Sequence, residues 1–149
     1  MTDPPVTDPL GTDREQIVAL IHEYAFRLDR GDLDGVAALF EDAELRSTRS
    51  ERVRRGAAEA RTIFDPVVLY DDGTPRTVHQ LTNVTVEVDG LTARARSYFT
   101  VLQVTGLGLH PILVGEYRDR FVLTDGRWNF SERVFHPMLF GDLSGHMRS

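Results

Sequence analysis

The hydrophobic pattern of the chain changes texture near residue 75. Before that point apolar residues recur at intervals of three and four: Ile17, Leu20, Ile21, Tyr24 and Leu28 make one stripe of a helix. Thr12 and Glu15 precede the stripe as a capping box, in which the hydroxyl accepts a free backbone N–H and the carboxylate reaches back. The helix stops at "DRGD", where Gly31 can take a left-handed conformation and Asp32 can cap a second, short helix through about Phe40. Leu33, Val36 and Phe40 are that helix's apolar stripe. "AELRST" predicts a short strand and "GAAEARTIF" a third helix, with Pro66 either interrupting it or opening another turn.

From Thr77 onward the alternation is that of strands. Val84, Val86 and Val88 point one way, Thr85 and Glu87 the other. "VDGL" turns the chain back into "TARARSYFTVLQV", and "TGLGLHP" predicts a wider loop. "ILVGEYRDRFVLT", the turn "DG" and "RWNFSERVF" complete the series. Helices first and antiparallel strands second are the order of an α+β domain with helices packed on one face of a sheet. Strands this long twist and curl, so helices across the concave side leave a closed-ended cone. With 149 residues, 41% of them hydrophobic, one domain over residues 12–149 is expected, after a loose arm at 1–11 that holds three prolines and two aspartates.

Composition narrows the chemistry. Cysteine is absent, which excludes disulfides, thiolate catalysis and cysteine-bound zinc. All seventeen basic residues are arginine, so lysine Schiff bases and the phosphate-binding lysine loop are excluded too. A net charge of -6 argues against nucleic acid as a partner. The arginine cluster between Arg46 and Arg55 reads as a solvated surface or dimer edge, with an anion handle as the alternative. No apolar run is long enough to span a membrane and no leader is visible, so a soluble, cytoplasmic protein is expected, with no membrane partner. The five histidines (His22, His79, His110, His136, His146) lack the spacings of a metal site; neither a metal nor a cofactor is expected.

Four stretches, "IHEYAFRLDRGDLDGVAALFEDAEL", "VHQLTNVTVEVDGLTARARSYFTVL", "GEYRDRFVLTDGRWNFSERVF" and "GDLSGH", in this order and spacing, resemble the SnoaL-like branch of the nuclear transport factor two-like superfamily. The resemblance covers roughly residues 13 to 146. It implies a conical α+β barrel with a deep, mostly apolar pocket, and commonly a homodimer. Members include dehydratases, isomerases, polyketide cyclases, dioxygenase small subunits and proteins with no chemistry, so function has to be argued from the pocket. In the family's dehydratases of scytalone and bile acids the pocket holds a tyrosine and an aspartate from the first helix and a histidine from the sheet. Tyr24, Asp29 and His79 occupy those places here.

Such a set suits acid–base work. An imidazole gives and takes protons near neutrality, and a carboxylate beside it fixes its tautomer and stabilises the imidazolium. Asp29 against His79 would remove a proton α to a carbonyl and return it to a departing hydroxyl, with Tyr24 polarising the carbonyl. Helix geometry sets a condition: residues 24 and 29 lie about 140° apart around the axis, whereas His22 shares the Asp29 stripe and could simply pair with it. Tyr24 also fits a plain core role. His110 is similar to a second pocket histidine of scytalone dehydratase, with a rim position as the alternative. Arg133 matches an arginine of the bile-acid enzymes and would bind an anionic group or pair with a neighbouring acid. Asn83 has the parity of His79 if no bulge intervenes. In the tail, Phe135, Met138, Leu139 and Phe140 should be buried, as a lid or on a second subunit.

The expected activity is therefore dehydration, isomerisation or cyclisation of a small hydrophobic, cyclic molecule by Asp–His acid–base catalysis. The alternatives are a non-catalytic ligand-binding or dimerisation module, and the small subunit of a ring-hydroxylating dioxygenase.

Overall fold

A computed structural model describes residues 11–149 of the chain; the arm expected at 1–11 thus lies, but for Gly11, outside the described residues. Helix α1 (Asp13–Asp29) starts where Thr12 accepts a hydrogen bond from the Glu15 N–H at 3.2 Å, and it buries Ile17, Ile21, Tyr24, Ala25 and Leu28. Gly31 follows with φ +78; a Cβ there would lie 2.0 Å from the carbonyl oxygen of Gly73, so only glycine lets the turn after α1 touch the loop that leads into the sheet. Helix α2 (Leu33–Ala38) is capped by Asp32, whose carboxylate accepts from Gly35 N–H at 2.9 Å. Strands β1 (Glu44–Ser47) and β2 (Arg54–Arg55) precede helix α3 (Gly56–Ile63), beyond which Pro66 lies in an irregular stretch.

Four long strands follow: β3 (Thr77–Asp89), β4 (Thr92–Thr105), β5 (Gly108–Thr124) and β6 (Arg127–Phe140). With β1 and β2 they form, among the described residues, a six-stranded curved sheet in the order β2-β1-β6-β5-β4-β3, antiparallel except where β1 runs beside β6. The three helices cover one face. The core between them is aromatic: Tyr24, Phe40, Phe99, Tyr117, Phe121 and Phe130 are all buried. Among the described residues no helix is long and apolar enough to cross a membrane.

Three features depart from the hydrophobic pattern. "TGLGLHP" is a tight hairpin, since Thr105 pairs with Gly108 and the strand runs on through His110 and Pro111. Its ladder tolerates Pro111 because the register shifts there, at Val101/Leu102. Strand β6 likewise extends to Phe140, with Pro137 opposite Gly115 beside another irregularity. The third departure is a bulge in β3 between Thr82 and Thr85, where Asn83 takes φ 55. Before it Thr77, His79 and Leu81 face the helices; after it Val84 and Val86 do, so one extra residue resets the alternation.

The tail divides. Phe135 packs on the core, whereas Met138, Leu139 and Phe140 stay exposed at the end of β6. The segment that folds back over the sheet's end is the next one, residues 141–148, a strap tied down by backbone groups. Gly141 N–H donates to Ile112 O, Val68 N–H to His146 O and Arg148 N–H to Pro66 O, each at 2.8 Å. The Gln103 amide and the Tyr70 hydroxyl both donate to Gly145 O.

Candidate active site

Asp29 is the last residue of α1, at the negative end of the helix dipole, where a carboxylate needs compensation. It receives three hydrogen bonds from the start of β3. The Thr77 hydroxyl donates to Oδ1 at 2.9 Å, the His79 backbone N–H to Oδ2 at 2.8 Å and the His79 ring to Oδ1 at 2.6 Å. Because β3 is the edge strand, the outward N–H of His79 meets no neighbouring strand among the described residues, and the carboxylate takes it. A carboxylate can only accept, so His79 Nδ1 carries a proton towards it, and Nε2 is the ring nitrogen not committed to Asp29. Among the described residues that Nε2 has no hydrogen-bond partner.

The pair opens on a hollow of about 590 Å³ between α1 and β3, with Ala25, Phe26, Val78 and Leu81 as its apolar wall and His22 and Arg30 among its lining. Phe26 and Val78 are 61% and 55% exposed, so the hollow is open to solvent and presents bare apolar surface next to the dyad. His22 sits by this hollow, while the bonds to Asp29 come from Thr77 and His79.

Tyr24 lies elsewhere. It faces inward among Phe40, Phe64, Tyr117 and Phe135, and burial pushes its phenol up to about 12, against the opposing pull of Arg133. The roughly 140° between positions 24 and 29 is thus expressed as a difference of compartment. Arg133 is wholly buried beside it, with its guanidinium 4.4 Å from the Tyr24 ring centre and 3.8 Å from that of Tyr117. It grips the equally buried Asp119 through two bonds of 2.7 and 2.8 Å, which is the acid-pairing alternative. Burial alone would lower its pKa; the charge and hydrogen bonds of Asp119 outweigh that and hold it above the usual value. Among the described residues its Nη1 has no hydrogen-bond partner.

Asn83 sits in the bulge, so the parity argument fails: it is exposed on the sheet's other face, beside Arg96, Tyr98 and Glu116. His110 is half-buried at the start of β5, its Nδ1–H donating to Gly108 O at 2.9 Å. The arginine cluster pairs locally, Arg46 with Glu132 and Arg55 with Glu44. A larger hollow of about 870 Å³, with Arg46, Arg94, Arg96, Arg118 and Arg120 in its wall, lies away from His79. Among the described residues no group of three or more His, Asp or Glu is placed to hold a metal ion.

One residue of the site was not among the candidates read from the sequence, although the stretch "GDLSGH" ends on it. His146, on the strap, is 7% exposed and its ring centre lies 6.4 Å from that of His79 at an interplanar angle of 63°. Its pKa falls from 6.5 to about 4, first through burial and then through His79, with Asp29 opposing. Nothing in spacing or periodicity joins positions 79 and 146; only the fold of the strap does.

Similarity to known proteins agrees with this architecture. A search of the curated proteins found no match. Among solved structures, a Mycobacterium tuberculosis protein of unknown function is 30% identical with a TM-score of 0.69, over 83% of this chain and 74% of that one. A nuclear transport factor two-like protein with a cystatin-like fold from Novosphingobium aromaticivorans is 26% identical with a TM-score of 0.72, over 89% and 86% of the two chains. From the same organism, a protein provisionally assigned as a scytalone dehydratase is 24% identical with a TM-score of 0.70, over 87% of each chain, a likeness of fold. The profile of the SnoaL-like domain matches residues 11–134, nearly the whole of the described structure. With the curved sheet, the three helices and this match together, the chain belongs to the SnoaL-like domain family.

Proposed function

We propose that the protein is a lyase or isomerase that removes a proton α to a carbonyl in a small, hydrophobic, cyclic molecule, a polyketide, steroid or phenolic. The observation that carries this reading is the 2.6 Å contact between Asp29 and His79 at the edge of an apolar hollow. In the reaction His79 Nε2 takes the α-proton, and Asp29 holds the ring's tautomer and stabilises the imidazolium. The same proton then passes to a departing β-hydroxyl, which leaves as water, or to another carbon of the enolate, which completes an isomerisation. The scytalone dehydratase assignment of a structural relative points the same way.

The test is hydrogen–deuterium exchange at the α-carbon of β-tetralone in D₂O, followed by proton NMR. The unaltered protein should accelerate exchange and His79→Ala should abolish it with the fold intact. Equal exchange by both proteins removes His79 from the mechanism. A second reading, binding without turnover, draws on the seating of Tyr24 in the core, away from the dyad; it predicts tetralone binding with no exchange. We also expect a homodimer in solution, to be checked by light scattering.

A further inference from the structure

A base alone does not make an enolate; the oxygen that gains charge needs a donor. The dyad supplies none. Asp29 only accepts, His79 commits Nδ1–H to Asp29 and needs Nε2 free, and Tyr24 is walled into the core. We propose that His146, carried on the strap, is a further catalytic residue of this site, its Nε2–H donating a hydrogen bond to the carbonyl oxygen of the substrate whose α-proton His79 removes. The inference rests on the acid–base reading above and adds to it a donor from the strap.

The geometry carries it. The two imidazoles are neighbours, 6.4 Å apart between ring centres at an interplanar angle of 63°. His146 Nδ1 is shut off from solvent and has no partner among the described residues, an unusual state for a buried polar atom. Nε2 of the same ring has no partner among the described residues either, but it is not among the atoms closed off from solvent. The proton therefore belongs on Nε2, where it can still be hydrogen-bonded, and the bare lone pair on Nδ1. Burial and the nearby His79 keep the ring neutral, so it donates without setting a second positive charge against the imidazolium formed on His79. During the reaction His146 loses no proton: the α-proton goes to His79, the electron pair goes to oxygen, and the His146 N–H lends it a hydrogen bond.

The strap's ties fix this ring. Val68 N–H and Gln103 hold the backbone on either side of His146, and Met147 bridges to Val67. The same strap covers the end of the sheet from which His79 projects.

The experiment uses β-tetralone labelled with carbon-13 at the carbonyl. With the unaltered full chain the bound carbonyl resonance should move downfield, and it should do so equally in His79→Ala. In His146→Ala the shift should disappear and α-exchange should fall by about 100-fold, while the downfield proton of the His79–Asp29 hydrogen bond persists. His146→Gln, which keeps a donor and guards against loss of fold, should retain part of the shift. An unchanged carbonyl resonance in His146→Ala overturns the proposal, as does failure of the unaltered protein to bind tetralone. Loss of the His79–Asp29 proton in both variants overturns it too, since His146 would then act only by packing. A shift that depends on His146 without any exchange supports the contact and refutes the acid–base reading, so the two fail separately.

Discussion

Acid should loosen this fold through one buried imidazole, and the size of the effect can be worked out. His146 has a pKa of about 4 in the folded protein, against 6.5 for a free histidine. A histidine whose folded value is depressed favours folding above its unfolded pKa, because only the unfolded chain takes up the proton as pH falls. At 1.36 kcal/mol per pH unit of difference, the full contribution is about 3 kcal/mol, present above pH 6.5 and gone by about pH 4. About 2 kcal/mol of it should already be lost at pH 5. Asp72 and Asp142, held low by hydrogen bonds from Thr74 and Ser144, release their share at more acid pH and do not mask this window. Urea unfolding read by the fluorescence of Trp128, the chain's only tryptophan, measures it at pH 7.5, 6, 5 and 4. The unaltered protein should lose about 2 kcal/mol more than His146→Gln between pH 7.5 and pH 5. Parallel curves for the two proteins would refute the linkage and place the imidazole in contact with water.

The buried pair of Arg133 and Asp119 predicts a non-additive cycle: Asp119→Ala should cost about 3–5 kcal/mol by stranding a cation, while Asp119→Leu with Arg133→Met recovers most of it. Urea midpoints decide; a double variant as weak as the single one would count against the account. Gly31→Ala should destabilise by about 2 kcal/mol or more, since φ +78 and the Gly73 carbonyl at 2.0 Å leave no place for a Cβ; an unchanged melting temperature would contradict this. Tyr24→Phe should leave tetralone exchange within about threefold of the unaltered protein while lowering stability by about 1 kcal/mol. Exchange reduced a hundredfold would bring Tyr24 back into the mechanism.

What could be read from the sequence was local. The stripe from Ile17 to Leu28 and the caps at Thr12 and Asp32 are encoded within a few residues, so α1 and α2 follow directly. Asp29 and His79 were identified through resemblance, and the fold supplied the 2.6 Å contact. What escaped depends on distant partners. Gly108 to Pro111 reads as a loop by composition, and it is a strand because β4 lies alongside to pair with it. Asn83 has the wrong parity only because of a bulge that no residue type announces. His146 enters the site through backbone bonds to residues 66–68, an association invisible to periodicity.

The bulge at Asn83 divides the labour of a single strand. Upstream, odd-numbered positions present Thr77 and His79 to the first helix; downstream, the even-numbered Val84 and Val86 pack against the core. Excising one residue there would restore uninterrupted pleating and force a choice, turning outward either the imidazole or Val84 and Val86. A perfectly regular ribbon of this composition could be stable or equipped for proton transfer, but not both.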